Sequence, residues 1–502
     1  MQLSSLIKQI TYENVQGSQE PDITDICYDS GKATQGSLFV CIKGQNRDGH
    51  DYIPDAIKRG AAAVVVEDAP PECEVPIIKV SDTRCALAEL SEAFFDYPAK
   101  KLAMVGITGT KGKTTTAFFL AEILKAAGHK PGLIGTVCID DGKEKIPSVH
   151  TTPESWDIQR YLHHMVENGC DCCVMEVSSQ GIKMQRTKGI RFDIGVFLNI
   201  EPDHIGKGEH ASFSEYLNCK RKLLQQCNIG IVNQDDLHVN QILYGHTCQV
   251  ETFSMKHPAD AVCWAERSFM ERGKLYSTFR LRAGWTGNTA VPYGFPAKIL
   301  LPGRFNLYNA LAAAAVAVHF GAEAGQIAQG LLAAQVPGRC ENVSPSQKYV
   351  VLIDYAHNEM SLKNLLETLR EFEPGRLVVL FGCGGNRSPL RRSRMGETAG
   401  LLADVTVLTS DNPRWEDPEH ILDDIEAGIQ GTGGSYVRIA DRKEAVNYVI
   451  RQAREGDIIV LAGKGHEAYQ EIQGKKYPME ERGLVEQALM KSAADVPVPD
   501  TP

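Results

Sequence analysis

Residues Gly109-Thr-Lys-Gly-Lys-Thr-Thr115 stand between an apolar strand-like run and a helical one. Glycines let backbone N–H groups approach phosphate oxygens closely, and the positive end of a following helix favours an anion. Lys113 has the reach for β- and γ-phosphates, and the Thr114 hydroxyl suits Mg²⁺. The usual spacing of such a loop calls for a glycine at 107, where Ile107 stands; Gly106 lies one residue too far out. The segment therefore reads as a variant phosphate loop. A glycine-rich turn that holds no nucleotide is the plainer alternative, and Lys113-Thr-Thr115 with its flanking elements argues against it.

Other chemistry-bearing residues follow. Glu176 ends the apolar run 171–177 and precedes Ser178 and Ser179, where a carboxylate at the mouth of a parallel sheet suits Mg²⁺ or caps the next helix equally well. His204, beside Asp203, is a second candidate ligand, although a lone histidine there also reads as structural. Lys220, in Tyr216-Leu-Asn-Cys-Lys-Arg-Lys222, reads by itself as one of three cations on a solvated helix face. Cys170, Cys172 and Cys173 run into apolar Val174 and Met175 with no second ligand pair, so they read as small hydrophobes of a buried strand. Nearer the C-terminus four apolar runs (349–353, 377–381, 405–408 and 457–461) lead into polar or glycine-rich turns. The turns are Asp354-Tyr-Ala-His357, Gly382-Cys-Gly-Gly385, Asp411-Asn-Pro-Arg414 and Gly463-Lys-Gly-His-Glu467. Open α/β sheets bind ligands at the carboxyl ends of their strands, so these turns on one edge make a coherent site.

The elements that must carry these residues follow from punctuation and period. Residues 1–99 hold short strand-like runs at 37–42, 62–67 and 76–80 and a helix at 83–95, ending at Tyr97-Pro98. From Lys101 strands (102–107, 171–177, 194–200) alternate with helices (114–127, 156–167), which implies a parallel sheet covered on both faces. The pattern restarts near Val336-Pro-Gly-Arg339, with helices at 362–372, 421–430 and 443–454. The expectation is an α/β protein of three domains, 1–99, 100–335 and 336–490, with a proline-bearing disordered tail at 491–502. A length of 502 residues exceeds one ordinary core, and 43% hydrophobic with 23% charged residues is a soluble globular composition. The balance of 53 basic and 63 acidic residues, net −10, disfavours nucleic-acid and anionic-membrane partners while leaving room for a local basic pocket. No signal peptide is legible at the start, and the longest apolar stretch, 310–318, falls short of the roughly 20 residues of a membrane helix. The 14 cysteines form no repeating frame, so free thiols in a reducing, cytoplasmic setting are expected, in a chain taken as monomeric.

Taken together, these residues resemble the Mur ligases of peptidoglycan precursor synthesis. Thr108–Thr115 resembles the family's phosphate loop, spacing included, and Glu176-Val-Ser-Ser179, Asp203-His204, Gly303-Arg-Phe-Asn-Leu-Tyr-Asn309, Gly338-Arg339 and Asp354-Tyr-Ala-His357 follow in the family's order. The resemblance implies an N-terminal mixed α/β domain for a uridine nucleotide, a central P-loop ATPase domain with a parallel sheet, and a Rossmann-like C-terminal domain. It implies ATP bound by Gly109, Thr110, Lys111, Gly112, Lys113, Thr114, Thr115, Asn309, Arg339 and His357. Mg²⁺ would be held by Thr114, Glu176, His204 and a carbamylated Lys220 (N6-carboxylysine), with Lys113, Glu176, His204 and Lys220 as the catalytic set. The carbamate overturns the bland reading of Lys220.

Within the family the chain looks like the members that add a diamino acid to the D-glutamate of UDP-N-acetylmuramoyl-L-alanyl-D-glutamate. Tyr28-Asp-Ser30 and Gly44-Gln-Asn-Arg-Asp-Gly49 resemble their uridine site, so Tyr28, Ser30, Gln45, Asn46, Arg47, Thr151, Thr152, Ser178 and Arg186 are the expected contacts of that substrate. The diamino acid would meet Arg392, Asp411, Asn412, Pro413, Arg414, Gly463 and Glu467. Asp411–Arg414 resembles the motif of members that add meso-2,6-diaminopimelate; lysine-adding members generally lack the arginine. The physics agrees, because a guanidinium grips the distal carboxylate of diaminopimelate in bidentate fashion, whereas lysine ends in an ammonium. A helix-initiating turn would explain Asp411 and Pro413 but not Arg414 together with Arg392. Departures from the pattern are Gly31, His150, Met184, the Ile205–His210 segment with Gly206-Lys207, Asn358-Glu359, and Ser388-Pro389, expected to disrupt the loop before Arg392. The central departures resemble some lysine-adding members, so L-lysine stays open as the amino acid. The implied reaction is phosphorylation of the glutamate carboxylate by ATP, then attack of the amine on the acyl phosphate, with domain closure required for turnover. A folylpolyglutamate synthase shares the loop and metal residues but is not expected to carry Asp411–Arg414 with Gly463–Glu467. A non-catalytic nucleotide-binding scaffold is opposed by the intact Lys113, Glu176 and Lys220.

Overall fold

The computed structural model describes the chain except for residues 18, 45–46, 69–72, 207–208, 258–260, 262, 271–276, 284–293, 345–347 and 495–502. Gln45, Asn46 and Lys207, and the end of the expected tail, therefore lie outside the described residues.

The first sheet contains β1 (Asn14–Gln16), β2 (Asp25–Cys27), β3 (Ser37–Val40), β4 (Ala61–Val66) and β5 (Ile77–Lys79) in the order β1-β5-β4-β3-β2. β2 to β5 run parallel and β1 pairs antiparallel with β5. The continuous apolar run of β4 belongs to a strand buried on both faces. Ala63 and Val65 join one core, Val64 and Val66 the other. Helices α1 (Leu3–Ile7), α2 (Ile53–Lys58) and α3 (Thr83–Phe94) accompany it. Asp82 fixes the start of α3 by accepting from the Arg84 and Cys85 N–H groups. The core under α1 and α3 is completed by Trp156, from the next domain in sequence, whose ring lies 4.6 Å from Phe95 and 5.4 Å from Phe94.

The second sheet is built on β6 (Ala103–Thr108), flanked by β10 (Cys172–Glu176) and β11 (Phe192–Phe197), all parallel. β7 (Pro131–Ile134) extends it beyond β10, and β12 (Cys227–Asn233) and β13 (Gln249–Ser254) beyond β11, again parallel. An antiparallel edge, β8 (Cys138–Asp140) and β9 (Lys145–Pro147), closes one side. β14 (Cys263–Met270), β15 (Ser277–Ala283) and β16 (Phe295–Ile299) come later in the chain. Its helices are α4 (Lys113–Ala126), α5 (Ser155–Glu167), α6 (Ser179–Lys183), α7 (Phe213–Arg221), α8 (Val239–Leu243), α9 (Arg304–His319) and α10 (Ala324–Ala333). The alanine-rich stretch of α9 is a buried helix, with Ala310 to Ala317 at most 1% exposed. Among the described residues no helix is long and apolar enough to cross a membrane.

The third sheet holds β17 (Glu341–Asn342), β18 (Val350–Asp354), β19 (Leu377–Phe381), β20 (Val405–Leu408), β21 (Tyr436–Arg438) and β22 (Ile458–Ala462) in the order β17-β18-β22-β19-β20-β21. All are parallel except β17. Its helices are α11 (Glu359–Arg370), α12 (Pro389–Leu402), α13 (Pro418–Gln430), α14 (Arg442–Arg451) and α15 (Glu481–Ala494), and a hairpin of β23 (Tyr469–Ile472) and β24 (Lys475–Pro478) precedes α15. Ser388-Pro389 does not disrupt the approach to Arg392: Ser388 is the N-cap and Pro389 opens α12, where its missing N–H has no helical partner to lose. The tail expected from 491 is helical as far as Ala494. By contacts the chain forms two compact units: Met1–Glu266, Leu281–Phe295 and Tyr308–Leu331 make one, with the first sheet and most of the second, and Arg267–Arg280, Pro296–Leu307 and the chain from Leu332 make the other, with the third sheet. The Trp156 packing across the 99/100 boundary accounts for the fusion of the first two.

In the second unit Arg442 is 2% and Glu481 1% exposed, and their ion pair closes to 2.6 Å. Arg442 also donates to the Ala462 and Ser410 carbonyls, tying α14 and α15 to the strand ends. Glu481→Ala leaves that guanidinium buried without its counter-charge and is expected to cost about 3–5 kcal/mol in urea unfolding. A loss below about 1 kcal/mol would mean that water reaches the pair.

Candidate active site

β6 ends in the middle of its sheet, so the Gly109–Thr115 loop sits at the carboxyl edge between β10 and β11. Gly112 takes φ +88°, and a Cβ there would meet the Asn309 side-chain oxygen at 2.2 Å. Gly106, the glycine that seemed misplaced, packs inside β6: a Cβ on it would lie 2.9 Å from the Phe192 ring. Gly106 thus serves the packing of the strand and not the loop. Lys113 donates to the carbonyls of Gly109 (2.7 Å) and Thr110 (3.2 Å). The loop is braced from β11 by Asn199, which accepts from the Lys111 N–H at 2.9 Å and donates to the Lys111 carbonyl at 3.1 Å. Thr110 meets the Tyr216 hydroxyl at 3.1 Å. Lys111 pairs with Asp203 at 3.3 Å. Burial alone would raise the Asp203 carboxyl, but Lys111 and His204 outweigh it and hold it below its ordinary value. Thr115 is buried in the first turn of α4.

Glu176 is the last residue of β10, in register with Ile107, two residues before Gly109. Its carboxylate is 1% exposed and accepts from the Thr114 hydroxyl (3.0 Å), the Thr136 N–H (2.9 Å) and the Thr136 hydroxyl (3.0 Å). The Thr136 hydroxyl also meets that of Thr151 at 3.0 Å. The Glu176 carbonyl accepts from the Thr152 hydroxyl, which in turn accepts from the Ser178 N–H. Ser178 caps α6, just before Met184. Arg186 donates to the Thr152 carbonyl and to Glu154. Thr114, Glu176, Thr151, Thr152, Ser178 and Arg186 are thus one connected network. Tyr28 joins the second domain in sequence by donating to Asp157 at 2.5 Å, Ser30 opens a short turn capped by Asp29, and Arg47 is exposed.

Lys220 is not on a solvated face. It is 2% exposed on α7 and donates to the Gly109 carbonyl at 2.8 Å, the same oxygen that Lys113 reaches. Burial, and then the Lys113 charge, push its amine well below the ordinary lysine value. His204 is half exposed, with its Nδ1 3.2 Å from Glu209. Its ring is 6.0 Å from the Tyr216 ring, over which the Lys220 amine lies at 4.9 Å. His210, Glu215 and Cys219 bring donor atoms within 4.8 Å of one another, but both Glu215 oxygens are committed, to Lys183 and to the Ala211 N–H. Cys170, Cys172 and Cys173 are buried, as a strand position requires.

The second unit assembles the remaining residues at the carboxyl edge of its own sheet. Asn412 donates to Glu467 at 2.9 Å. Arg414, at φ +54°, donates to the Gly385 carbonyl at 2.8 Å and pairs with Glu471 at 3.2 Å. Arg392, 2% exposed, reaches the neighbouring Gly384 carbonyl at 3.5 Å but is mainly engaged by Glu416 (2.8 Å) and Asp424 (2.9 Å). The two arginines thus converge on Gly384-Gly385. Pro413 presses the same loop, its carbonyl 1.9 Å from where a Gly385 Cβ would stand, and Asp411 lies against Gly463. Arg339 stacks on Tyr355 at 5.0 Å, and His357 Nδ1 donates to the Tyr355 carbonyl at 2.8 Å. The Tyr355 hydroxyl, its pKa pushed up to about 12 by burial and by Glu467, donates to Glu467 at 3.4 Å.

Sequence reasoning missed Asn199, Thr136, Tyr216, Lys464 and Glu471. Asn199 carried a signal, a polar residue inside the last residues of an apolar strand run, and Lys464 sat inside a turn already singled out.

Three family models match the chain in order: "Mur ligase family, catalytic domain" over residues 22–95, "Mur ligase middle domain" over 107–317 and "Mur ligase, glutamate ligase domain" over 338–465. A UDP-N-acetylmuramoyl-L-alanyl-D-glutamate--2,6-diaminopimelate ligase of Clostridium perfringens is 38% identical over 493 residues, covering 97% of this chain and 99% of that protein. A ligase of the same name from Geobacillus kaustophilus is 39% identical over 500 residues, with 97% and 99% covered. A solved structure of a ligase so named is 27% identical, with a TM-score of 0.65 over 94% of this chain and 95% of its own. Matching all three models in sequence, and those ligases along nearly their whole length, the chain belongs to the Mur ligase family.

Proposed function

We propose that the protein joins meso-2,6-diaminopimelate to the D-glutamate of UDP-N-acetylmuramoyl-L-alanyl-D-glutamate, converting ATP to ADP and phosphate. One observation carries the choice of substrate. Around Asn412 an anion-gripping guanidinium, Arg414, and an ammonium-gripping carboxylate, Glu467, flank one turn. A diamino acid with a carboxylate at its far end offers both charges. The names of the relatives support the same reading.

In this reading the glutamate carboxylate attacks the γ-phosphorus of ATP, and the bond to the bridging oxygen breaks to give acyl phosphate and ADP. The uncharged amine then attacks the acyl carbon, loses a proton, and phosphate leaves. The backbone N–H groups of Gly109–Thr115 and the Lys113 ammonium hold the phosphates and oppose the charge that develops on them. Asn309, Arg339 and His357 bind the nucleotide; Tyr28, Ser30, Gln45, Asn46 and Arg47 bind the uridine end, and Thr151, Thr152, Ser178 and Arg186 the muramoyl dipeptide. Arg392, Asp411, Pro413 and Gly463 complete the diamino-acid pocket. Thr114 and the buried Glu176 are adjacent hard oxygen donors, which fits Mg²⁺. Lys220 fits as a carbamate, since its environment favours the neutral amine that adds carbon dioxide. With His204 these residues would hold Mg²⁺, which when bound supplies further charge neutralisation at the transferred phosphoryl group. ATP as co-substrate argues for a cytoplasmic enzyme.

L-Lysine is the second reading. Arg392 is engaged by Glu416 and Asp424, and Arg414 already serves Glu471 and the Gly385 carbonyl, so a substrate carboxylate would compete with them.

Phosphate release with ATP and the UDP-dipeptide is expected to favour meso-diaminopimelate over L-lysine by about 100-fold in kcat/KM, the worth of one charge-assisted contact. Preference for lysine overturns the choice of amino acid, and no release with either overturns the ligase reading. Lys220→Ala is expected to lose about 100-fold or more in kcat, with no recovery in bicarbonate; near-normal turnover would defeat the carbamate. Asn199→Ala removes two hydrogen bonds from the loop and is expected to weaken ADP binding about tenfold by calorimetry. Unchanged affinity would show that the loop holds its shape without that brace.

A further inference from the structure

Beneath the Asp411–Arg414 turn lies a buried ammonium that no step above uses. Lys464 is 0% exposed, and its Nζ donates to Asn412 Oδ1 at 2.9 Å and to Glu467 Oε2 at 3.0 Å, with the Tyr469 ring 5.1 Å away. An ammonium removed from water is tolerated only where its donors are matched. Here the match consists of two groups from two separate turns: Asn412 from the loop after β20, and Glu467 from the loop after β22.

The surrounding charges sharpen the point. Arg442 is matched one to one by Glu481. Lys464 pairs with Glu467, and Asp411 stands close to the same turn, with an oxygen 2.8 Å from the position a Gly463 Cβ would take. Glu467 Oε2 is engaged by Lys464 and Asn412, while among the described residues Oε1 has only the long 3.4 Å contact from Tyr355. Oε1 is therefore the oxygen left for a substrate ammonium. Burial would raise the Glu467 carboxyl, but the Lys464 charge, its hydrogen bond and that of Asn412 outweigh burial and hold it below its ordinary value.

We propose that Lys464 is a positioning residue for the amino group of the diamino acid: through Glu467 and Asn412 it sets the ionisation and the orientation of the carboxylate that receives the substrate ammonium. The inference rests on the ligase reading above. It adds to that reading a residue that touches no substrate yet governs affinity for one of the three.

The test is steady-state phosphate release by the full chain, varying the diamino acid and then ATP. Lys464→Met keeps the length and removes the charge. It is expected to raise KM for the diamino acid about 30-fold, the worth of a hydrogen bond to a charged group, with KM for ATP within about twofold. The acid limb of kcat/KM for the diamino acid should move to higher pH, because without the cation only the Asn412 hydrogen bond and His466 are left to oppose burial at Glu467. Lys464→Gln keeps a donor without the charge, and is expected to recover part of the KM while its acid limb stays displaced; it carries the test if the Met variant does not fold. In a Glu467→Gln background, Lys464→Met should add no further rise. Equal rises in both KM values, an unmoved acid limb, or additive effects in the double variant each overturn the proposal. If the wild-type chain releases no phosphate with any diamino acid, this proposal and the ligase reading fall together. If the wild type turns over, these outcomes bear on Lys464 alone.

Discussion

Two lysine amines, Lys113 and Lys220, converge on the single carbonyl oxygen of Gly109, at 2.7 and 2.8 Å. Two positive charges so close repel, and burial together with the Lys113 charge pushes the Lys220 amine well below the ordinary lysine value. This constraint demands a loop whose carbonyl does not move. The structure supplies it through a central strand paired on both sides, Asn199 clasping Lys111 across its backbone, and Tyr216 meeting Thr110. Tyr216 and Lys220 are four residues apart on α7 and so share the face turned to the loop. One short helix thereby both braces the phosphate loop and delivers the unusual amine.

Glu176 plays the corresponding part for the carboxylate side. Its side chain gathers Thr114 and Thr136, while its main-chain carbonyl gathers Thr152. The residue that faces the phosphate loop is therefore the residue that fixes the segment expected to hold the muramoyl peptide. A shift in one is felt by the other through a single peptide unit. The second unit repeats the logic with different chemistry, since Glu467 is reached from Asn412, Tyr355 and Lys464 on three separate turns of one sheet edge.

Much of this was legible in the residue order because strands, glycine turns and helix starts are local signals. The β6–loop–α4 unit and the four C-terminal turns lie where the apolar runs end. Long-range packing was not legible. The Lys220-Arg-Lys222 cluster reads as surface on any local criterion, and only the tertiary fold buries the first of the three. Thr136 lies beside an antiparallel edge whose short strands gave no period to follow, and β12 and β13 were passed over because their polar residues interrupt the apolar run. Ser388-Pro389 misled in the opposite direction: proline was read as a breaker where it is a starter. The identity of Arg392 could not disclose its ion pairs with Glu416 and Asp424.

The placement of Trp156 bears on how such a protein can be taken apart. The indole belongs to a helix of the second sheet but completes the core of the first, against Phe94 and Phe95. Severed near residue 99, the leading segment would carry a hole the size of an indole in its interior, and the remainder would present that indole to water. The first sheet is therefore not a cassette that can be traded between ligases by itself. Any transplant of the first sheet has to move α5 along with it.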